Sequence, residues 1–228
     1  MQMINILFDL DGTLTDPKLG ITRCIRHALT ELGHEPPDRD ALEWCIGPPL
    51  RHSFGTLLDS TDNDLLEQAV HLYRQRFAEV GLFENHVYDG IPEALAELRR
   101  QGYRLFLATS KPRIFAERIL DHFALTGFFD TAHGSELDGS LTDKPSLVRQ
   151  ILATEGLQPD QTMMVGDRKY DILGGKANGI RTGAVTYGYG TREELETERP
   201  DFIFDTPNQL VVFLAAPLEE IVKDQQCD

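Results

Sequence analysis

Four short, largely apolar runs, Ile4 to Phe8, Leu105 to Ala108, Thr162 to Val165 and Thr182 to Val185, are bounded by polar residues and separated by segments of helical period. Runs this short and uniform suit strands buried on both faces, the condition of a parallel sheet covered by helices. The intervening helices carry their own punctuation. In "PEALAELRRQG", Ala94, Leu95 and Leu98 share a face, with Pro92 at the start and Gly102 past the end. "RIFAERILDHF" places Ile114, Phe115, Ile119 and Phe123 on one stripe, and "SLVRQILATEG" does so with Leu147, Ile151 and Leu152. Strand alternating with helix predicts a doubly wound, Rossmann-like α/β fold with a parallel sheet.

Residues 17–87 break that rhythm. "GITRCIRHALTELG", "RDALEWC", "LRHSFGTLL" and "DLLEQAVHLYRQRF" read as helix after helix, with no convincing strand between them. The simplest organisation is an α/β core of residues 1–16 and 88–228 with an all-helical cap of residues 17–87 inserted after the first strand. The cap is entered near Asp16-Pro17 and left near "VYDGIP". The polar end "EEIVKDQQCD" reads as frayed.

Charge and cysteine usage exclude some functions. With 22 Lys+Arg against 37 Asp+Glu the net charge is −15, and no basic run is present, so a nucleic acid polymer or an acidic membrane would be repelled. A small anionic substrate is not excluded, because local cations or a metal override a distant, screened surface charge. Cys24, Cys45 and Cys227 are odd in number and widely spaced, which argues against a disulfide framework or a structural zinc and for a reducing cytoplasm. No signal-peptide or membrane-spanning pattern is expected, since Asn5 and Asp9 interrupt the first apolar run. No obligate protein partner is evident.

In a parallel sheet ligands bind beyond the carboxyl ends of the strands, so residues that follow the apolar runs are searched first. The first run delivers Asp9 and Asp11 in "ILFDLDGTLTD", the second Thr109 and Ser110, and "TMMV" delivers "GDRKYD" with Asp167 and Asp171 one helical turn apart. Lys144 stands ahead in "LTDKP". Taken singly, an Asp after a strand is an N-cap, a Thr or Ser closes a turn, and a Lys before a helix is solvated. Their occurrence together, each at a strand end, is what points to a site.

The set resembles the haloacid dehalogenase-like superfamily, specifically its aspartate-nucleophile phosphatases. "DLDGT" matches the first motif, Thr109 the second, Lys144 the third and "GDRKYD" the fourth, and residues 17–87 look like the family's helical cap. The resemblance implies that Asp9 attacks phosphorus to give a phosphoaspartate, while Asp11 protonates the leaving alkoxide and later takes a proton from water. It also implies Mg²⁺, which suits four carboxylates converging on a phosphate. The implied ligands are the Asp9 carboxylate, the Asp11 main-chain carbonyl and Asp167, with Asp171 in the outer shell or reaching through water. Lys144 is implied to neutralise the nucleophile, and Thr109 and the Ser110 amide to hold the transferring group. Haloacid dehalogenases lack the second aspartate, so Asp11 favours phosphoryl chemistry.

For the leaving group, Lys18 at the cap entrance, Arg51 and His52 in "GPPLRHSF", Lys111 and Tyr187 in "YGYG" are candidates. For the "GPPL" stretch and the tyrosine, plain turn or packing roles compete. "DPKLGI", "GPPL" and "VGDRKYDILGGKANGI" look like the phosphoglycolate phosphatase-like group and its bacterial 5′-nucleotidase-type members. Phosphoglycolate phosphatases commonly read KPxP where this chain reads "KPSL", which argues against glycolate phosphate without touching the reaction type. The expected activity is hydrolysis of a small phosphomonoester. A phosphotransferase or mutase acting on sugar phosphates and a non-catalytic phosphate-binding module are the alternatives.

Overall fold

The computed structural model describes residues 3–215, so Cys227 and the polar stretch 219–228 lie outside the described residues. The strands are β1 (Asn5–Phe8), β2 (Thr15–Asp16), β3 (His86–Val87), β4 (Arg104–Pro112), β5 (Thr131–Ser135), β6 (Thr162–Gly166), β7 (Arg181–Val185) and β8 (Phe202–Phe204). Six of them form one parallel sheet in the order β5-β4-β1-β6-β7-β8. The chain builds outward from β1 through β4 and β5, then returns to β1's other side for β6, β7 and β8. The crevice that this reversal opens beyond the carboxyl end of β1 is where an open α/β sheet binds ligands.

Both faces of β1 are buried, as the apolar runs predict. Ile6 and Phe8 enter the core packed by α4 (Ile91–Arg100) and α5 (Arg113–His122), whereas Leu7 faces Leu147, Val148 and Ile151 of α6 (Lys144–Glu155). Asn5 is turned to use, donating through its amide to Thr162 Oγ1 at 3.2 Å. Helix α4 starts at Gly90 with Pro92 in its first turn, and the chain leaves past Gly102. α6 is capped at both ends: Asp143 accepts from the Ser146 amide at 3.0 Å and Gly156 closes it in the left-handed conformation.

Between β2 and β3 lie only helices: α1 (Lys18–Glu31), a six-residue 3-10 turn (Asp40–Cys45), α2 (Leu50–Leu57) and α3 (Asn63–Glu79), followed by the single 3-10 turn Gly81–Phe83. One expectation is sharpened and one corrected here. "RDALEWC" is not an α-helix, being too short before the Gly47-Pro48-Pro49 stop to propagate one. A strand does fall within residues 17–87, since His86–Val87 pairs antiparallel with Thr15–Asp16. The two crossings between sheet and helices therefore run side by side as one ribbon. Asp16 serves that ribbon as a turn residue, accepting from the Lys18 amide at 2.9 Å.

β5 and β8 are absent from the sequence reading. They are the sheet's edges, with "TAHGS" half-buried and "FIF" three residues long. The remaining helices, α7 (Lys169–Ala177), α8 (Arg192–Thr197) and α9 (Pro207–Ala215), flank β6 to β8. Among the described residues no helix is long and apolar enough to cross a membrane. Replacing the α6 cap, Asp143→Ala, should cost about 1 kcal/mol of stability in urea unfolding; an unchanged midpoint would show that the Ser146 bond contributes nothing.

Candidate active site

Register decides where the carboxylates emerge. Phe8 is paired with Leu107 on one side and Val165 on the other, so Asp9 leaves β1 between Ala108 and Gly166. Its amide still donates to the Val165 carbonyl at 2.9 Å, which fixes its height in the sheet. The chain then turns within Leu10 to Thr15. The amides of Leu14 and Thr15 both donate to the Leu10 carbonyl, at 2.9 and 3.0 Å, and Gly12 sits at φ +86°. This turn brings Asp11 to the same cavity as Asp9, although the two stand on a strand end where alternate residues need not face together.

Gly12 is needed twice over. Its φ lies where a side chain is strained, and a Cβ there would stand 2.1 Å from Asp167 Oδ2. Gly166 performs a similar service for Asp171, whose Cγ would be 2.1 Å from a Cβ. The glycines of "DLDGT" and "VGDRKYD" thus let the two motifs meet.

At that meeting Asp9, Asp167 and Asp171 each offer a carboxylate oxygen, all within 4.8 Å of one another, and all three residues are buried. Lys144, 4% exposed at the first turn of α6, reaches Asp9 Oδ1 at 3.0 Å, Asp171 Oδ1 at 2.8 Å and the Ala108 carbonyl at 2.9 Å. Burial would lower its pKa, but Asp171 and Asp9 outweigh burial and hold it above the usual lysine range. The acids feel the opposite. Burial, and then Asp9 and Asp171, push Asp167 well above the ordinary carboxylate range, against the Tyr189 amide that donates to it at 2.8 Å. Asp171 is pushed up to about 6 by burial, with Lys144 resisting. One lysine against three buried carboxylates leaves a negative deficit in an all-oxygen pocket, the donor set of a hard divalent cation such as Mg²⁺.

Asp11 stands outside that group. Its Oδ1 lies 2.8 Å from Lys111 Nζ, whose side chain is 7% exposed and sits over the Phe77 ring of α3 at 4.7 Å. Burial raises the Asp11 pKa and Lys111 opposes the rise. Thr109 and Ser110 line the cavity at the end of β4. Thr109 Oγ1 accepts from the Lys111 amide at 3.2 Å, and the Ser110 carbonyl accepts from Ser135 Oγ at 2.8 Å.

The cavity holds about 360 Å³ and is walled by Leu50, Val70, Tyr73, Phe77 and Phe115 above the carboxylates. Arg51 reaches its rim but is bonded to Glu67 and Asn63. Lys18 is not brought to the cavity at all; its ammonium pairs with Glu43 and with Asp40 at 2.8 Å on the same helical segment. His52 is exposed, and Tyr187 donates its hydroxyl to the Thr13 carbonyl at 3.1 Å. Sequence reasoning missed Thr13, which donates to Asp167 at 3.3 Å, and Arg168, which lines the cavity from inside "GDRKYD".

Residues 6–185 match the family model described as haloacid dehalogenase-like hydrolase. The chain belongs to that family. A 5′-nucleotidase of Pseudomonas aeruginosa is 48% identical over 196 residues, 86% of this chain and 88% of its own. A protein of Mycobacterium tuberculosis named tyrosine-protein kinase PtkA is 38% identical over 216 residues, 95% of this chain and 70% of its own. The crystal structure of a predicted phosphatase from Clostridium acetobutylicum superimposes with a TM-score of 0.90 at 37% identity, covering 94% of this chain and 99% of that one.

The raised acids fix the sign of a pH effect. In metal-free protein Asp171 keeps its proton from 3.8 up to about 6 while the unfolded chain has released it. The native state therefore binds more protons, and this contribution to stability falls as pH rises through that window. Mg²⁺ competes with those protons, so the rise in Tm on adding it should be small near the bottom of the window and grow toward about pH 7. A Mg²⁺ shift that shrinks with rising pH contradicts the assignment.

Proposed function

We propose that the chain hydrolyses a small phosphomonoester, a nucleoside 5′-monophosphate in the first instance, through a phosphoaspartate on Asp9. The observation that carries this reading is that Asp9 and Asp11, two residues apart, open on one cavity while each is held by its own lysine. An Asp9 oxygen attacks phosphorus and the bond to the leaving oxygen breaks. Asp11 gives that oxygen its proton; the rise of its pKa by burial suits a group that must hold a proton until then. Asp11 next takes a proton from the attacking water, and the bond from phosphorus to Asp9 breaks.

Lys144 keeps the Asp9 carboxylate oriented and partly neutralised, and Lys111 holds the Asp11 side chain in place. Thr109 and the Ser110 amide, at the cavity's edge, would hold the transferring group. Asp9, Asp167 and the Asp11 main-chain carbonyl would hold Mg²⁺, with Asp171 behind them, and when bound the cation supplies charge to offset the phosphoryl oxygens. We read residues 17–87 as a cap that closes on the substrate, and the setting as cytoplasmic, in keeping with the free, buried thiols of Cys24 and Cys45.

A wall of leucine, valine and aromatic rings in a cavity of about 360 Å³ suits a nucleoside better than glycolate, and the similarity to a 5′-nucleotidase points the same way. The similarity to a protein named as a kinase favours a second reading, transfer of the phosphoryl group to an acceptor hydroxyl. Product analysis separates the two.

With Mg²⁺ present, purified protein should release inorganic phosphate from nucleoside monophosphates in step with nucleoside. No release from these, from phosphoglycolate or from p-nitrophenyl phosphate sinks the reading. Asp9→Asn and Asp11→Asn should each lower turnover by about a thousandfold. Asp11→Asn should keep its Mg²⁺ affinity by calorimetry, because that side chain faces Lys111.

A further inference from the structure

Arg168 follows Asp167, and its guanidinium, spent on Glu194 and the Ile46 carbonyl, joins two parts of the molecule that the catalytic reading leaves unconnected. Its Nη1 donates to the main-chain carbonyl of Ile46, in the helical segment. Its other edge is gripped by Glu194 of α8, with Nε to Oε1 at 2.9 Å and Nη2 to Oε2 at 3.3 Å. Glu194 is fixed in turn by the Lys169 amide at 2.9 Å. The side chain is 11% exposed, so this is a desolvated guanidinium whose planar fork is shared between a carboxylate and a carbonyl.

What the guanidinium touches next is the cavity wall. Gly47 lies against it at φ +101°, and a Cβ on Gly47 would be 3.0 Å from both Arg168 Cγ and Nη1. Gly47, Pro48 and Pro49 line the cavity, as does Arg168. The loop has few means of its own to hold position. Pro48 and Pro49 carry no amide donor, and the last turn before them is a short 3-10 helix ending at Cys45. Ile46 is fully buried, so its carbonyl needs a donor, and Arg168 supplies it.

We propose that Arg168, braced by Glu194, is the positioning residue that sets the Gly47–Pro49 wall of the cavity, and through it the leaving group that the site accepts. Its kinetic consequence rests on the phosphomonoesterase reading; its structural consequence does not. Asp167 is held by the Tyr189 amide and Thr13, and Asp171 by the main-chain amide of Arg168 at 3.1 Å, so a change confined to the Arg168 side chain keeps these carboxylate contacts. Lysine keeps the charge but cannot reach Glu194 and the Ile46 carbonyl from one planar group.

The molecule contains its own reporter, because its one tryptophan, Trp44, is two residues before Ile46 and 39% exposed. In Arg168→Lys and in Glu194→Gln, acrylamide quenching of Trp44 should rise about twofold as the loop opens locally. KM for a nucleoside 5′-monophosphate should rise about tenfold in both, while in Glu194→Gln, a residue outside the cavity, kcat for acetyl phosphate, whose small leaving group stops short of the wall, stays within about twofold. The double variant should be no worse than Arg168→Lys alone, since the two side chains act as one unit. Unchanged Trp44 quenching in both variants overturns the proposal, as do equal losses on the two substrates or fully additive effects. Should Arg168→Lys fail to fold, Glu194→Gln carries the same readings. If the wild-type protein turns over neither substrate while Trp44 still loosens in the variants, the positioning role stands and the proposed function falls.

Discussion

Everything around the tip of β1 answers to one electrostatic problem: carboxylates crowded where water is scarce. Like charges in a poorly solvated pocket repel far more strongly than on a surface, and Lys144 pairs with Asp9 and Asp171 while Asp167 rests on the Tyr189 amide and the Thr13 hydroxyl. Lys144 meets the problem only in part. Its position follows from α6, whose first turn points it at the end of β1, and its burial is tolerable because it donates to Asp9 and the Ala108 carbonyl and is ion-paired with Asp171. The remaining imbalance tunes the acids upward and leaves the pocket receptive to a hard cation. A pocket left short of positive charge in this way is one that a hard cation could complete.

Much of this is legible in the amino-acid sequence, for identifiable reasons. Strands buried on both faces declare themselves as apolar runs, and a parallel sheet puts chemistry at their carboxyl ends, so Asp9, Asp11, Thr109 and Asp167 were marked by place as much as by type. Edge strands give no such signal: β5 carries Thr, His and Gly, and β8 is three residues long. At Asp40–Cys45 the sequence reads as helix without saying which kind, because apolar spacing over six residues cannot tell a 3-10 from an α-helix.

Pairings between distant residues were the least legible. The sequence offers Lys111 as a reader of the leaving group, but its bond to Asp11 spans a hundred positions and depends on the Gly12 turn. Lys18 went the other way. It stands at the entrance to the helical segment, yet Asp40 and Glu43 satisfy it locally, which no pattern of spacing announces. Arg168 sat inside a motif whose aspartates drew the attention, and Glu194, its brace, lies in a short helix with no distinguishing composition.

The small ribbon of β2 and β3 has a meaning beyond hinge geometry. Because Thr15–Asp16 and His86–Val87 lie paired, about seventy residues of chain begin and end at neighbouring points on the sheet's rim. Topologically the helical segment is a loop on a closed stem. A longer, shorter or differently folded insert could be grafted onto that stem with β1, β4 and β6 undisturbed, so the chemistry at the strand tips and the shape of what it acts on are free to change independently over evolutionary time.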